Sequence, residues 1–140
     1  MRWMLDTNTA SYVIRSRPPA VKRRFDAAGY GNLAISVVVL AELLYGAELH
    51  PTRGDDIRAD IEDFRRRLGV IPWSESAATH YAQIRAELRR AGTPIGNMDL
   101  LIAAHARAEG AVLVTNNLAE FRRVQGLALE NWLLEGDTPA

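Results

Sequence analysis

The sequence predicts an α/β fold in which helices cover a central parallel sheet of four to five strands. Short apolar runs of strand length alternate with segments whose apolar residues recur at helical spacing. The runs occupy residues 3–5, 33–35, 70–71, 111–114 and, more weakly, 127–129. Strands that alternate with helices are joined by crossovers, so we expect them to run parallel and to bind ligands at their carboxyl ends.

Two helices are indicated by apolar residues at i, i+4, i+7 and i+11. These residues are Ile57, Ile61, Phe64 and Leu68 in the first helix, and Ala77, Tyr81, Ile84 and Leu88 in the second. Helix boundaries are predicted from residue types that suit caps. The expected N-caps are Ser36, Ser74 and Asn97, the expected first-turn proline is Pro19, and the expected C-terminal caps are Gly69, Gly92 and Gly110.

Composition narrows the possible chemistry. The 140 residues include no cysteine, which excludes disulfides, thiolate metal sites and a cysteine nucleophile. Seventeen basic residues balance 17 acidic ones, and this argues against a uniformly basic nucleic-acid binder. Catalysis is therefore expected to use oxygen or imidazole groups.

The chain has the organisation of one domain over residues 1–140, because no linker, repeat or low-complexity tract interrupts it. The longest nearly uncharged stretch, residues 32–47, is too short to span a bilayer and contains Glu42. Asp6 interrupts any signal-peptide pattern at the N-terminus. We therefore expect a cytoplasmic protein without a membrane segment.

Three acidic residues stand in apolar surroundings with no basic residue nearby in sequence. Asp6 follows an apolar strand, Glu42 is the only charge in residues 27–47, and Asp99 precedes the apolar run 100–104. A buried carboxylate must be neutralised by a proton, a distant cation or a metal ion, because an unpaired buried charge costs several kcal/mol. One metal ion would serve all three.

The predicted topology brings these acids towards one edge of the sheet. Asp6 ends the first strand, and Asn116 and Asn117 follow the strand at 111–114. Asp99 lies in the first turn of its helix, and the long side chain of Glu42 is expected to reach the same edge. Oxygen ligands without cysteine or paired histidine favour Mg²⁺ or Mn²⁺ over zinc.

Two of the acids also have simpler explanations. Asp6, followed by Thr7 and Asn8, fits an Asx-type helix cap, and Asp99 fits an anion placed to complement a helix dipole. Glu42 has no comparable explanation, since an uncompensated glutamate in an apolar helix is costly for packing alone. For Glu42 a functional role is the favoured interpretation.

Other polar residues are interpreted as structural or exposed. Acids with a basic residue within helical reach, such as Glu62 and Glu120, are expected on the surface, and Glu130 is expected to face outward from a strand. The histidines share no ligand spacing and are interpreted as turn or helix-surface residues: His50, His80 and His105. Neither a glycine-rich phosphate loop nor a serine-hydrolase elbow is present.

Taken together, the motifs resemble those of PIN-domain ribonucleases of the VapC toxin type. The motifs are MLDTN at residues 4–8, Ser36 followed by AEL at 41–43, GTPIG at 92–96 leading to Asp99, VTNN at 114–117, and GL at 126–127 before ENW at 130–132. Their order and spacing cover essentially the whole chain. The resemblance implies a three-layer α/β/α domain and a Mg²⁺- or Mn²⁺-dependent endoribonuclease.

The resemblance also assigns roles to individual residues. Asp6, Glu42 and Asp99 match the family's acidic catalytic and metal-binding positions. Asn117 stands where many members have a fourth aspartate, and is expected to orient a metal-bound water without adding charge. The surrounding hydrogen-bonding groups implied are Thr7, Asn8, Ser36, Thr115 and Asn116.

The implied reaction is hydrolysis of an RNA phosphodiester by a metal-activated water, leaving a 5′-phosphate and a 3′-hydroxyl. The segment GTPIG at 92–96 is similar to that of members that cut initiator tRNA. The implied partners are a VapB-like antitoxin encoded beside the toxin and a second copy of the chain in a homodimer.

A basic segment is the leading candidate for contact with RNA or the antitoxin. Of the 17 basic residues all but Lys22 are arginines, which favour bidentate phosphate contacts. The segment contains Arg15, Arg17, Lys22, Arg23 and Arg24. A solvated helix face explains the same run equally well.

Two alternatives belong to other functional classes. A catalytically silent PIN-like module would bind an antitoxin or nucleic acid, although the retained Asp6, Glu42 and Asp99 count against it. A phosphotransfer domain would use Asp6 as phosphoacceptor, but its second acidic neighbour and strand-end lysine are missing. Cleavage of RNA that requires a divalent metal distinguishes the nuclease from both.

Overall fold

The computed structural model describes residues 1–133 and forms a three-layer α/β/α domain. Its strands are β1 (Trp3–Leu5), β2 (Leu33–Ser36), β3 (Gly69–Ile71), β4 (Val112–Val114) and β5 (Leu129–Glu130). Its helices are α1 (Thr7–Arg15), α2 (Pro19–Ala28), α3 (Val37–Leu49), α4 (Gly54–Arg65), α5 (Glu75–Ala91), α6 (Asn97–Ala108) and α7 (Leu118–Phe121), with a 3-10 turn at Tyr30–Asn32.

All five strands of the sheet pair in parallel, in the order β3-β2-β1-β4-β5. The chain first builds one half outward from β1 and then returns to add β4 on the other side. In such a sheet the point where the strand order reverses opens a crevice at the carboxyl ends of the strands. The crevice here lies after β1 and β4, where Leu5 pairs with Val114.

The central strands are buried on both faces, as expected for a parallel sheet covered by helices. Leu5, Ile35 and Leu113 each have no exposed surface. Phe25 of α2 stacks on Phe64 of α4, with ring centroids 5.6 Å apart, which joins two helices of one layer. The predicted α/β class and parallel sheet are therefore confirmed.

Most predicted boundaries are confirmed. Ser36 and Ser74 cap α3 and α5 by accepting from the N–H of Val38 and Ala77, both at 3.1 Å. Gly92 ends α5 with φ +70°, a left-handed conformation that favours glycine. The weakest strand prediction, 127–129, is displaced along the chain to Leu129–Glu130.

Two boundary predictions are wrong. Gly96, not Asn97, is the N-cap of α6: its carbonyl accepts from Leu100 N–H at 2.9 Å, which makes Asn97 the first helical residue. Gly69 is not a helix cap, because α4 ends at Arg65 and Gly69 already pairs with Ala34 in the sheet. No helix within residues 1–133 is long and apolar enough to cross a membrane.

Candidate metal and catalytic site

Asp6 lies where β1 passes into α1, and it is only 5% exposed. Its Oδ1 accepts from Thr9 N–H at 2.8 Å, so it caps α1 as one of the simpler explanations predicted. Burial raises the pKa of the Asp6 carboxyl above its ordinary value, and the charge of Glu42 adds to this, whereas hydrogen bonds from Thr115 and Thr9 lower the pKa. The cap therefore does not remove the need for a counter-charge.

Glu42 reaches the same region from the second turn of α3. The hydroxyl of Thr7 donates to Glu42 Oε1 at 2.5 Å, linking the start of α1 to α3. Glu42 lies close enough to Asp6 and Asp99 for its charge to raise the pKa of both carboxyls. The expectation that its side chain would reach the other acids is thus supported by their electrostatic coupling.

Asp99 lies in the first turn of α6 and is partly buried. Burial and the hydrogen-bonded, negatively charged Glu120 are the main causes that raise the pKa of Asp99 to about 7, and the charges of Asp6 and Glu42 contribute further. All three predicted acids therefore share one electrostatic environment, and within residues 1–133 none of them forms an ion pair with a lysine or arginine.

Glu120 is a fourth carboxylate at this site: it is partly exposed, as expected of a surface charge, but its carboxyl bonds within the site, which the sequence did not reveal. It lies in the short helix α7, where Oε1 accepts from Gly96 N–H at 3.1 Å and Oε2 accepts from the Asn117 amide at 2.5 Å. Arg123, the basic residue within helical reach, instead donates to the Pro94 carbonyl at 3.0 Å. One feature of the sequence could have identified Glu120. It lies six residues after the end of β4, at the carboxyl edge of the sheet where Asp6 also lies.

Asn117 touches the site through this bond to Glu120. Its own N–H donates to Thr115 Oγ1 at 2.9 Å, and Thr115 also hydrogen-bonds the Asp6 carboxyl. Asn116 is partly buried, and its Oδ1 has no hydrogen-bond partner. A buried acceptor without a donor is costly, so Asn116 has an oxygen free for a ligand or water.

Of the remaining predicted hydrogen-bonding groups, Thr7 donates to Glu42. Within residues 1–133, Ser36 and Asn8 form no hydrogen bond to an acidic side chain. Ser36 is fully buried and caps α3, and its Oγ lies 2.8 Å from His105 Nδ1. Asn8 is exposed in the first turn of α1. Ser36 thus supports the helix that carries Glu42.

The donor set at this site fits a hard divalent cation. Asp6, Glu42, Asp99 and Glu120 offer carboxylate oxygens, which suit magnesium or manganese. Within residues 1–133, however, no three Asp, Glu or His side chains form a ready-made cage for an ion. Thr9 and Thr7 each donate to one oxygen of Asp6 and Glu42, which orients these carboxylates and leaves them further lone pairs for an ion.

Comparison with known proteins identifies the family of this chain. Residues 3–127 match the sequence profile of the PIN domain. The chain belongs to the PIN-domain family. It is 46% identical over 132 residues to the tRNA(fMet)-specific endonuclease VapC of Shigella flexneri, covering 94% of this chain and 98% of that protein. It is 44% identical over 135 residues to ribonuclease VapC2 of Haemophilus influenzae, covering 95% and 99%.

Solved structures extend the similarity to three dimensions. VapBC2 from Rickettsia felis, bound to a promoter DNA fragment, matches with a TM-score of 0.88 and 40% identity over 95% of this chain and 100% of that one. DNA-bound VapBC from Salmonella typhimurium matches with a TM-score of 0.89 and 43% identity, covering 95% and 99%. The resemblance to VapC proteins found in the sequence is therefore confirmed.

The basic segment of this PIN domain is partly engaged in internal ion pairs. Lys22 Nζ lies 2.6 Å from Asp26, and Arg24 bonds to Glu130 of β5. Arg15 donates to the Ser11 carbonyl at 3.4 Å and lies over the Tyr12 ring. The segment's contact with RNA or an antitoxin remains a prediction, carried most directly by the exposed Arg17 and Arg23.

Two predictions about structural residues of the PIN domain are wrong. His105 is not on the helix surface: it has no exposed area, and burial lowers the pKa of its imidazole despite the nearby charge of Glu109. Glu130 is not simply outward-facing: it accepts from the indoles of Trp3 at 3.2 Å and Trp132 at 2.8 Å. The bonds of His105 to Ser36 and of Glu130 to Trp3 each join residues far apart in sequence.

A groove of about 420 Å³ adjoins the acids of the PIN domain. Its lining includes Thr7 and Glu42, and its remaining walls come from α1, α3 and α4. Apolar Ile14 and Ile57 contribute to it together with charged side chains. Gly46 also lines the groove, with no atom within 4 Å of where a Cβ would stand.

Proposed function

We propose that this PIN domain is a metal-dependent endoribonuclease and the toxin of a toxin-antitoxin pair acting in the cytoplasm. The observation that supports this most is the convergence of Asp6, Glu42, Asp99 and Glu120, where mutual repulsion and burial raise the pKa of two of the carboxyls. The names of the VapC relatives support the nuclease class. Relatives that are named tRNA(fMet)-specific favour tRNA as the substrate class.

Asp6, Glu42 and Asp99 would hold Mg²⁺ or Mn²⁺, with Glu120 as a fourth carboxylate. When bound, the ion supplies a lowered pKa for a water molecule and positive charge to offset charge on phosphoryl oxygens. The unpaired Asn116 oxygen supports the proposal, because it offers a further neutral acceptor in the segment after β4. Four carboxylates without a cation would otherwise be a costly arrangement for a stable fold.

The chain's own residues orient the acids and accommodate a proton. Thr7 fixes Glu42, and Thr9 and Thr115 fix Asp6, so the inner carboxylates have defined positions. Burial and the nearby Glu120 raise the pKa of Asp99 to about 7, which favours a proton on this pair when no ion is bound. We propose that, once an ion has displaced that proton, a carboxylate of the pair accepts the proton that water loses as its oxygen bonds to phosphorus; the bond from phosphorus to the 3′ oxygen breaks, and the 3′ oxygen takes up a proton from solvent to leave as a hydroxyl. Asn117 holds Glu120 in place for this role.

The partner proposed is an antitoxin that covers the groove between α1, α3 and α4. Matching solved structures contain VapC-type chains in VapBC complexes. The groove combines apolar Ile14 and Ile57 with Arg15 and Asp60, and it includes Glu42. A segment seated there would block access to the acids. A homodimer of the toxin is proposed as well, to be checked by analytical ultracentrifugation.

Cleavage of RNA with and without metal tests the proposed function. The full-length protein, freed of antitoxin, is incubated with total tRNA and Mg²⁺ or Mn²⁺, and the new 5′ ends are sequenced. We expect metal-dependent cleavage that EDTA stops and that leaves 5′-phosphates. Asp6→Asn and Asp99→Asn should abolish cleavage while thermal unfolding remains cooperative.

Arg66→Ala is the matched control, because Arg66 is exposed at the C-terminal end of α4. Its one ion pair within residues 1–133 is with Asp63. Its cleavage rate should equal that of the wild type. Intact RNA after incubation of the wild type with either metal would contradict the nuclease and favour the catalytically silent binding module.

A further inference from the structure

We propose that the cleft between the C-terminal half of α5 and the loop leading into α6 binds one nucleotide of the RNA, beside the position of cleavage. This inference rests on the proposed ribonuclease function and deepens it by naming a substrate-binding subsite. The cleft has a volume of about 250 Å³ and is lined by Arg85, Leu88, Arg89, Pro94, Ile95, Asn97 and Leu100. Whole-ligand pockets commonly hold about 300–1,000 Å³, so the cleft is the size for part of a ligand.

Two arginines supply the charge that a phosphate requires. Arg85 and Arg89 stand four residues apart on α5, so they share one face of the helix, and both are exposed. Among residues 1–133, neither forms an ion pair with an acid. Arg85 donates to the Tyr81 hydroxyl at 2.8 Å and lies over that ring, which orients its guanidinium without neutralising it.

The arginines of the cleft differ in ion pairing from two residues of the basic segment. There Lys22 is paired with Asp26, and Arg24 is paired with Glu130. An arginine already paired with a carboxylate must break that pair before it can bind phosphate, whereas an unpaired one need not. Arg17 and Arg23 of that segment also form no ion pair within residues 1–133, but Arg17 precedes α2 and Arg23 lies within it, whereas the cleft has two unpaired arginines on one face of α5.

The remaining walls suit a nucleobase. Leu88 and Leu100 form an apolar floor, each 4% exposed, and Ile95 packs against the same core. Pro94 closes one side, and its carbonyl is held by Arg123 at 3.0 Å, which fixes the loop. The Asn97 amide, at the lining of the cleft, offers both a donor and an acceptor for a base edge.

Chain continuity joins the cleft to the acids. Pro94 and Ile95 line the cleft, and the next residue, Gly96, would have a Cβ 3.7 Å from Asp99 Oδ2. Gly96, between the cleft and the acids, is bound through its N–H by Glu120. A strand of RNA whose phosphodiester lies over the acids can thus place its neighbouring nucleotide in the cleft.

Salt-dependent RNA binding tests this subsite without relying on activity. Binding of a fluorescein-labelled tRNA(fMet) transcript is measured in EDTA by anisotropy over a range of salt concentrations. Each lost phosphate contact should reduce the slope of log affinity against log salt by about 0.7 to 0.9. We expect a reduction of this size in Arg89→Ala and in Arg85→Ala, and a larger one in the double variant.

In metal-dependent cleavage the double variant should raise KM at least about tenfold, with kcat within about twofold, because a loss of uniform binding affects KM alone. Arg89→Lys should retain the salt slope, since it keeps the charge. The matched control Arg66→Ala, which removes an exposed arginine paired with Asp63 at the end of α4, should change neither slope nor KM. Analytical ultracentrifugation should give one oligomeric state for all variants.

The possible outcomes separate the subsite from the proposed function. A wild type that binds and cleaves RNA, together with an unchanged slope and KM in the double variant, overturns the subsite alone. A change of oligomeric state in Arg85→Ala or Arg89→Ala overturns it too, by assigning the cleft to contact between copies. A wild type that does not cleave RNA overturns the proposed function, and the subsite with it.

Discussion

The carboxyl groups of Asp99 and Glu120 both lie against Gly96 although they belong to different helices: Glu120 Oε1 accepts from Gly96 N–H at 3.1 Å, and Asp99 Oδ2 is 3.7 Å from where a Cβ of Gly96 would stand. Two carboxylates this close repel each other unless one of them holds a proton. The pKa of Asp99 is accordingly raised to about 7, mainly by burial and by Glu120. A divalent cation placed between the two groups would replace that proton, so metal binding and proton binding should compete here.

The first prediction concerns pH and metal. Because the pKa of Asp99 is raised in the metal-free fold, binding of a proton to Asp99 stabilises that fold. This stabilisation is fully present below the ordinary pKa of about 3.9 and is lost as pH rises through about 7. At high pH the Asp99 carboxyl is less often protonated, so an added ion competes with fewer protons for it. The increase in Tm caused by Mn²⁺, measured by differential scanning fluorimetry, should therefore be larger at pH 8 than at pH 5.5.

Asp99→Asn provides the control for this experiment, because its amide does not titrate. The variant should show a small Tm increase with Mn²⁺ that varies little between the two pH values. An equal increase at both pH values in the wild type would mean that Asp99 does not compete for the ion.

The sequence was informative about acids whose surroundings are apolar along the chain itself. Asp6, Glu42 and Asp99 met that condition, and the structure places them within electrostatic reach of one another. Glu120 did not meet it, because Arg123 stands three residues later. Only the fold reveals that Arg123 bonds to Pro94 and leaves Glu120 to the acids.

Contacts between distant residues explain the other differences. Glu130 and Arg24 are 106 residues apart, so no local pattern could show that they pair. His105 lies on a helix whose neighbours on several sides are buried, and helical spacing alone does not reveal a residue enclosed all round. The strand and helix order was predictable because each element depends on short-range periodicity and caps.

The second prediction concerns Asn117. Asn117→Asp removes the amide that donates to Glu120 and places another negative charge beside the acids. In EDTA we expect a loss of about 0.5 to 1 kcal/mol, because like charges repel at a partly exposed position. Calorimetry should show tighter Mn²⁺ binding than in the wild type, because the ion gains a charged ligand.

The double variant Asn117→Asp/Glu120→Gln restores the original number of charges at this position. It should recover stability in EDTA and bind Mn²⁺ more weakly than Asn117→Asp alone. If Asn117→Asp leaves metal affinity unchanged, Asn117 does not lie within ligand reach of the ion.

The third prediction concerns the hydrogen bonds and the ion pair through which Glu130 holds β5 to the rest of the domain. Burial disfavours its charged form, but hydrogen bonds from Trp132, Trp3 and Arg24 outweigh this and lower the pKa of the carboxyl. Its stabilising effect is present above its unfolded pKa and lost as pH falls through the lower folded value. Glu130→Gln should cost about 1 kcal/mol at pH 7, or roughly 3 to 5 °C in Tm.

Arg24→Ala is the informative comparison, since it removes one of the three donors and leaves both indoles in place. Its loss of stability in urea unfolding should be smaller than that of Glu130→Gln. A larger loss would indicate that the ion pair, rather than the indole bonds, ties β5 to the domain.

The fourth prediction concerns His105. Burial lowers the pKa of this imidazole, so its contribution to stability is present above the ordinary histidine pKa and declines as pH falls below about 6.5. His105→Leu should lose about 1 to 3 kcal/mol at pH 7.5, because Ser36 loses its partner at 2.8 Å. Urea unfolding at pH 5.5 and 7.5 should then show a smaller pH effect than in the wild type; an equal effect would assign it to other groups.

The fifth prediction uses Gly46 to separate folding from partner binding. No atom lies within 4 Å of a Cβ at this position of α3, so both Gly46→Ala and Gly46→Phe should fold. Gly46→Ala should stabilise the protein by about 1 kcal/mol through helix propensity. The phenyl ring of Gly46→Phe projects into the groove and should reduce affinity for the antitoxin encoded beside this chain at least about tenfold in calorimetry, while Gly46→Ala leaves that affinity unchanged. Unchanged affinity in Gly46→Phe would place the partner elsewhere on the domain, because a filled groove cannot also hold a bound segment.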